Sequence, residues 1–154
     1  MTRREAREQA FALMFEQTFH PEKSIGAIIE CAVEDRDLEV DPYAFHLAEK
    51  SVSVLEELDA AFESYLKKWT KERISRASLT ILRLAICEMR YEPTVPVSVS
   101  INEAVELAKK YSTAEDAGFV NGVLGSIARA PESSEQEKEN SVVLSQDFSS
   151  PSEE

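Results

Sequence analysis

The chain has 154 residues, with 29 acidic against 17 basic side chains and a formal net charge of −12. That length fits one domain with a core of its own, and the charge excludes a protein that is basic all over and coats nucleic acid nonspecifically. Residues 131–154 hold seven of the acids and a single base, so half of the excess sits there and any phosphate contact must come from a local patch of the body.

The spacing predicts a first helix from Arg3 to about Thr18. Ala6, Ala10, Leu13 and Gln17 mark one face, and Arg4, Arg7, Phe11 and Phe15 mark an adjacent one. Its start presents Arg3, Arg4 and Arg7. Its later turns are apolar on both sides, which suits burial between neighbours or a core face beside a partner face. His20-Pro21 breaks the chain, and a second helix follows over about 23–35 on the stripe Ile25, Ile28, Ile29 and Ala32.

Asp41-Pro42 is a start signal, an acid at the N-cap with proline in the first turn. The helical pattern beyond it is too long for one ordinary helix. The cluster Ser51-Val52-Ser53-Val54 is β-branched and polar, so two helices are expected, about 42–53 and 56–68. A fifth, over 74–91, is apolar almost all round, as a central buried helix must be. Its polar stripe is Arg76, Thr80, Arg83, Cys87 and Arg90, which reads as a solvated strip or as a rail for phosphates.

Pro93 and Pro96 end that helix. Ile101, Ala104, Val105, Ala108 and Tyr111 then define a sixth, and Phe119, Val120, Val123, Leu124 and Ile127 a seventh. Between them Ser112 and Thr113 are N-cap types, with Glu115 and Asp116 where a helix dipole favours negative charge. Gly118, Gly122 and Gly125 lie inside the last helix, each at a cost of about 1 kcal/mol against alanine. Close backbone packing is the ordinary reason for such glycines, and a surface that no side chain should block is the other. From Pro131 the composition turns to serine and glutamate with few aromatics, a tail expected to stay disordered. The sum is an all-α domain of seven helices in two packed subsets over 1–130, followed by a disordered acidic tail over 131–154.

Catalysis and metal binding find little here. His20 and His46 have no serine or cysteine partner at a motif spacing, Cys31 and Cys87 have no ligand neighbours, and there is no glycine-rich phosphate loop. No enzyme activity, metal or cofactor is expected. The charged start and the lack of a long apolar run suit a soluble cytoplasmic protein without a membrane partner. Binding fares better. Single-stranded RNA is held by basic side chains on phosphates and by ring or guanidinium planes under bases. Arg3, Arg4, Arg7, Tyr65, Lys67, Lys68, Arg83, Lys109, Lys110, Tyr111 and Phe119 supply those types. Taken singly, each also has a plain structural role, and spacing does not bring them together.

Three separated blocks are more specific. RREAREQAFALMFEQ from Arg3, ILRLAICEM from Ile81, and INEAVELAKKYS followed by FVNGVLGSI resemble, in order and spacing, the marked segments of the NusB family of bacterial transcription antitermination factors. The resemblance covers about residues 3–129. It implies an all-α fold and binding, together with the ribosomal protein NusE, to boxA-type single-stranded RNA of ribosomal RNA leader transcripts. It further implies assembly on RNA polymerase with other Nus factors. The matching RNA-binding positions are Arg3, Arg4, Arg7, Tyr65, Lys68, Arg83 and Phe119, and the NusE-binding positions are Phe15 and Ser78. Some relatives pair into homodimers that hide the arginine face. Glu5, Ser78 and Gly118 depart from the family pattern. The acidic body, Glu5 and Gly118 leave a second reading open: an interaction module that docks NusE or another partner and leaves RNA to that partner.

Overall fold

The computed structural model describes residues 1–36, 39–66 and 74–130, with no side-chain detail for 33–36. Among these residues there are seven helices and no strand: α1 (Arg3–Thr18), α2 (Ile25–Arg36), α3 (Pro42–Ser53), α4 (Leu55–Glu63), α5 (Arg76–Tyr91), α6 (Val97–Tyr111) and α7 (Ala114–Arg129). The expected break falls at Val54, whose backbone (φ −126°, ψ 33°) leaves the helical region between α3 and α4. Asp41 caps α3 as its sequence suggests, accepting from the N–H groups of Tyr43 and Ala44. Thr113 caps α7, accepting from Asp116 N–H. Helix α4 ends at Glu63, short of the expected reach to 68, and residues 67–73 lie outside the described part. So does the tail over 131–154.

Two subsets of helices meet along one seam. Helices α1, α2 and α3 pack on one another, α4 and α6 each pack on both α5 and α7, and α5 packs on α1, α3, α4, α6 and α7. Burial explains that position. Ile81, Leu82, Ile86 and Cys87 of α5 are fully buried, with Phe62 and Leu58 from α4, Leu47 from α3 and Leu124 from α7 around them. Each such aliphatic or aromatic side chain contributes about 1.5–3 kcal/mol of transfer free energy.

The polar stripe of α5 is neither the solvated strip nor the open rail that its spacing allowed. Thr80 and Cys87 are buried. Arg83 forks onto Asp59, with Nε–Oδ1 and Nη2–Oδ2 both 2.8 Å, and Arg90 reaches Glu57 at 2.9 Å, so two of its arginines clamp α4 onto α5.

Two of the three glycines of α7, Gly118 and Gly122, also depart from the packing expectation. A Cβ built on Gly118 or Gly122 would meet nothing within 4 Å. No neighbouring backbone presses on them; both leave a bare patch of helix facing outward.

Candidate functional site

Helix α1 begins at Arg3 because Thr2 closes a capping box. Thr2 Oγ1 accepts from Glu5 N–H at 3.0 Å, and the Glu5 carboxylate accepts from Thr2 N–H at 2.8 Å. Glu5, an acid among arginines, is therefore occupied in starting the helix that displays them.

The three arginines take three different environments. Arg3 is exposed and lays its guanidinium over the Tyr43 ring, 3.8 Å from the centroid. Arg4, with 60% of its side chain exposed, crosses to α6 and forks onto Glu103, Nε–Oε1 3.0 Å and Nη2–Oε2 2.8 Å. Arg7 corrects the expectation that the helix start presents all three. It lies seven residues before buried Met14, on the same side of α1, and is itself buried. Its Nε donates to both carboxylate oxygens of Glu88, at 3.1 and 2.9 Å. Glu88 also accepts from Tyr43 OH at 2.5 Å and from Ser100 Oγ at 2.8 Å. Burial, and then the Glu88 carboxylate, push the Tyr43 hydroxyl well above the usual tyrosine range, so it stays a donor.

One turn along α1, Glu8 accepts from Lys110 Nζ at 2.8 Å, and Lys109 lies 3.6 Å from Glu106 on α6 itself. Arg4, Glu8, Glu103, Glu106, Lys109 and Lys110 line a groove of about 390 Å³ between α1 and α6. The hydrogen bond from Arg4 holds the Glu103 carboxyl below its usual range. Glu103 and Glu8 in turn raise Arg4 and Lys110. Arg4, Glu103 and Lys110 are thus each held in the charged form by the partner across the groove. Beside the groove, Tyr111 is 43% exposed and stacks on buried Phe11, with centroids 5.0 Å apart.

The remaining expected positions spread further. Arg83 points to α4, about 140° around α5 from Glu88 at 100° per residue, so it does not share the arginine end of α1. Tyr65, just past α4, and Phe119 on α7 are half-buried against the core. Lys68 lies outside the described residues. Phe15 is half-buried in an aromatic row, stacked on Phe11 at 5.6 Å and edge-on to Phe19 at 5.3 Å. Phe19 is 52% exposed, with the Arg76 guanidinium 4.4 Å from its centroid. Ser78 is a second correction. It sits in the first turn of α5 facing the core, fully buried, and its hydroxyl finds no hydrogen-bond partner among the described residues, so it offers no surface to a partner.

Sequence reasoning missed the carboxylates. Glu103 and Glu8 lie 99 and 102 residues from the cations they hold, and no local spacing rule pairs them. Glu88 did leave a signal, an acid off the polar stripe of α5 and among its apolar positions, where burial calls for charge and hydrogen-bond partners.

Comparison with known proteins agrees with this architecture. The model of the NusB family matches residues 4–129. The chain is 41% identical over 130 residues to the transcription antitermination protein NusB of Lacticaseibacillus paracasei, covering 84% of this chain and 96% of that one. It is 37% identical over 131 residues to the protein of the same name from Agathobacter rectalis, covering 83% and 100%. Among solved structures, T. maritima NusB superposes with a TM-score of 0.73 at 30% identity, over 90% of this chain and 98% of that one. A structure of antitermination factors NusB and NusE in complex with double-stranded RNA gives a TM-score of 0.71 at 26% identity, over 85% and 100%.

Proposed function

The chain belongs to the NusB family, and from that premise we propose that it is a transcription antitermination factor. With NusE it binds boxA-type single-stranded RNA of ribosomal RNA leader transcripts and helps assemble the antitermination complex on RNA polymerase with the other Nus factors. It works by binding, without catalysis, in the cytoplasm, through a domain spanning residues 1–130. The observation that carries this reading is the family match over nearly the whole described helical body.

The geometry supports a division of labour. The exposed cations Arg3 and Arg4 at the start of α1 are suited to RNA phosphates. Tyr65, Arg83 and Phe119 are the further RNA positions that the family resemblance implies, Tyr65 and Phe119 half-buried against the core and Arg83 held by Asp59 on another side of α5. Phe15 and the exposed Phe19 form an aromatic face at the far end of α1, suited to NusE. Arg7 serves this surface from behind, anchoring α1 to Glu88.

Titration of labelled boxA RNA with the protein and its own NusE tests the reading. The pair is expected to bind, with each phosphate contact contributing about −0.7 to the slope of log affinity against log salt. Arg3→Ala with Arg4→Ala is expected to weaken the ternary complex and flatten that slope while the protein pair survives. A pair that binds no RNA would overturn the proposal. Unchanged ternary affinity in the double variant would favour an interaction module that leaves RNA to NusE.

A further inference from the structure

The groove between α1 and α6 carries more than its place beside the arginine end. Three cations, Arg4, Lys109 and Lys110, face three carboxylates, Glu103, Glu8 and Glu106, so the groove as folded is neutral. The arrangement nonetheless keeps the cations in place. Arg4 already makes the two-pronged contact that a guanidinium makes with a phosphate, only with a carboxylate in the phosphate's position. The cations of these pairs are more than half exposed, 60% for Arg4 and 57% for Lys110, so a phosphate can reach them from solvent. At the end of the groove Tyr111 offers an exposed ring backed by Phe11, with the Lys110 ammonium 5.5 Å from its centroid. A strip of cations leading to a supported ring is the arrangement that holds single-stranded nucleic acid, phosphates along the strip and a base on the ring.

We propose that the α1/α6 groove is a gated RNA-binding site, in which Glu103 and Glu8 occupy the phosphate positions until RNA displaces them and a base stacks on Tyr111. This rests on the RNA-binding reading above and adds Lys109, Lys110 and Tyr111 to the binding residues and Glu103 and Glu8 as internal competitors. The competitors serve selectivity. An RNA with only scattered phosphates in reach loses to the resident carboxylates, whereas a strand that engages the strip and the ring together prevails.

The test measures fluorescence anisotropy of labelled single-stranded boxA RNA with the full-length protein and its NusE, with urea unfolding of each variant as a check on folding. Glu103→Gln and Glu8→Gln are each expected to tighten RNA binding about two- to fivefold, the release of one surface ion pair. Lys110→Gln is expected to weaken it and to reduce the salt slope by about 0.7. Tyr111→Ala is expected to weaken it about fivefold or more. If the unaltered pair binds RNA and the four variants bind with the same affinity and slope, the groove proposal is overturned and the functional reading stands. Weaker binding by folded Glu103→Gln overturns it as well. No RNA binding by the unaltered pair removes both.

Discussion

At the scale of single residues, Glu88 has the largest effect. Removing its carboxylate by Glu88→Ala leaves Arg7 buried without a counter-charge and strips Tyr43 and Ser100 of their acceptor. Loss of one partner of a buried pair costs about 3–5 kcal/mol, and a fall of that size in urea-unfolding free energy is expected. Arg7→Met together with Glu88→Leu should recover most of it, since neither charge is then stranded. The two cysteines should separate cleanly. Cys31 is exposed, whereas burial pushes the Cys87 thiol up to about 11. A thiol reagent at pH 8 should modify one cysteine per native chain, and the second only on unfolding. Tyr91 gives the pH dependence. Burial and its hydrogen bonds to Glu57 raise its hydroxyl to about 12. Its contribution to stability is complete below the ordinary tyrosine value of about 10 and is lost as pH rises toward 12. The denaturation midpoint should fall over that window, and less steeply in Tyr91→Phe. Sequence showed that an arginine cluster opens the chain, but not that Arg7 turns inward, because the acid that receives it lies 81 residues away.

Helices as units were far more legible. Periodicity located all seven, and capping chemistry set the starts of α3 and α7, because both signals are local. What local signals do not carry is the company a helix keeps. The arginines of α5 gave an even spacing, but whether they met water, phosphate or Asp59 and Glu57 depended on where α4 lies. Gly118 and Gly122 of α7 misled for the same reason, since an intrahelical glycine looks alike in sequence whether a neighbour presses on it or nothing does. Their open surroundings make a prediction. Gly118→Ala and Gly122→Ala should each stabilise the fold by up to about 1 kcal/mol, read as a raised urea midpoint. A stabilised variant that binds NusE or RNA less well would identify the bare face of α7 as a contact surface.

For the whole molecule, the surplus of negative charge leaves room for the proposed RNA-binding groove because that groove is small and its three cations are matched by three resident carboxylates. The opening arginines, the end of α6 and the aromatic row of α1 adjoin one another along α1, where sequence had them scattered over more than a hundred positions. Glu88 has a consequence at this scale too. Its carboxylate gathers donors from α1, α3 and α6 onto α5, so that detaching any one of these helices exposes a charge that the other three must then solvate. These four should therefore open together. Native-state amide exchange is expected to give one shared opening free energy for their central amides, with α2, which takes no part in that junction, exchanging by separate and shallower fluctuations.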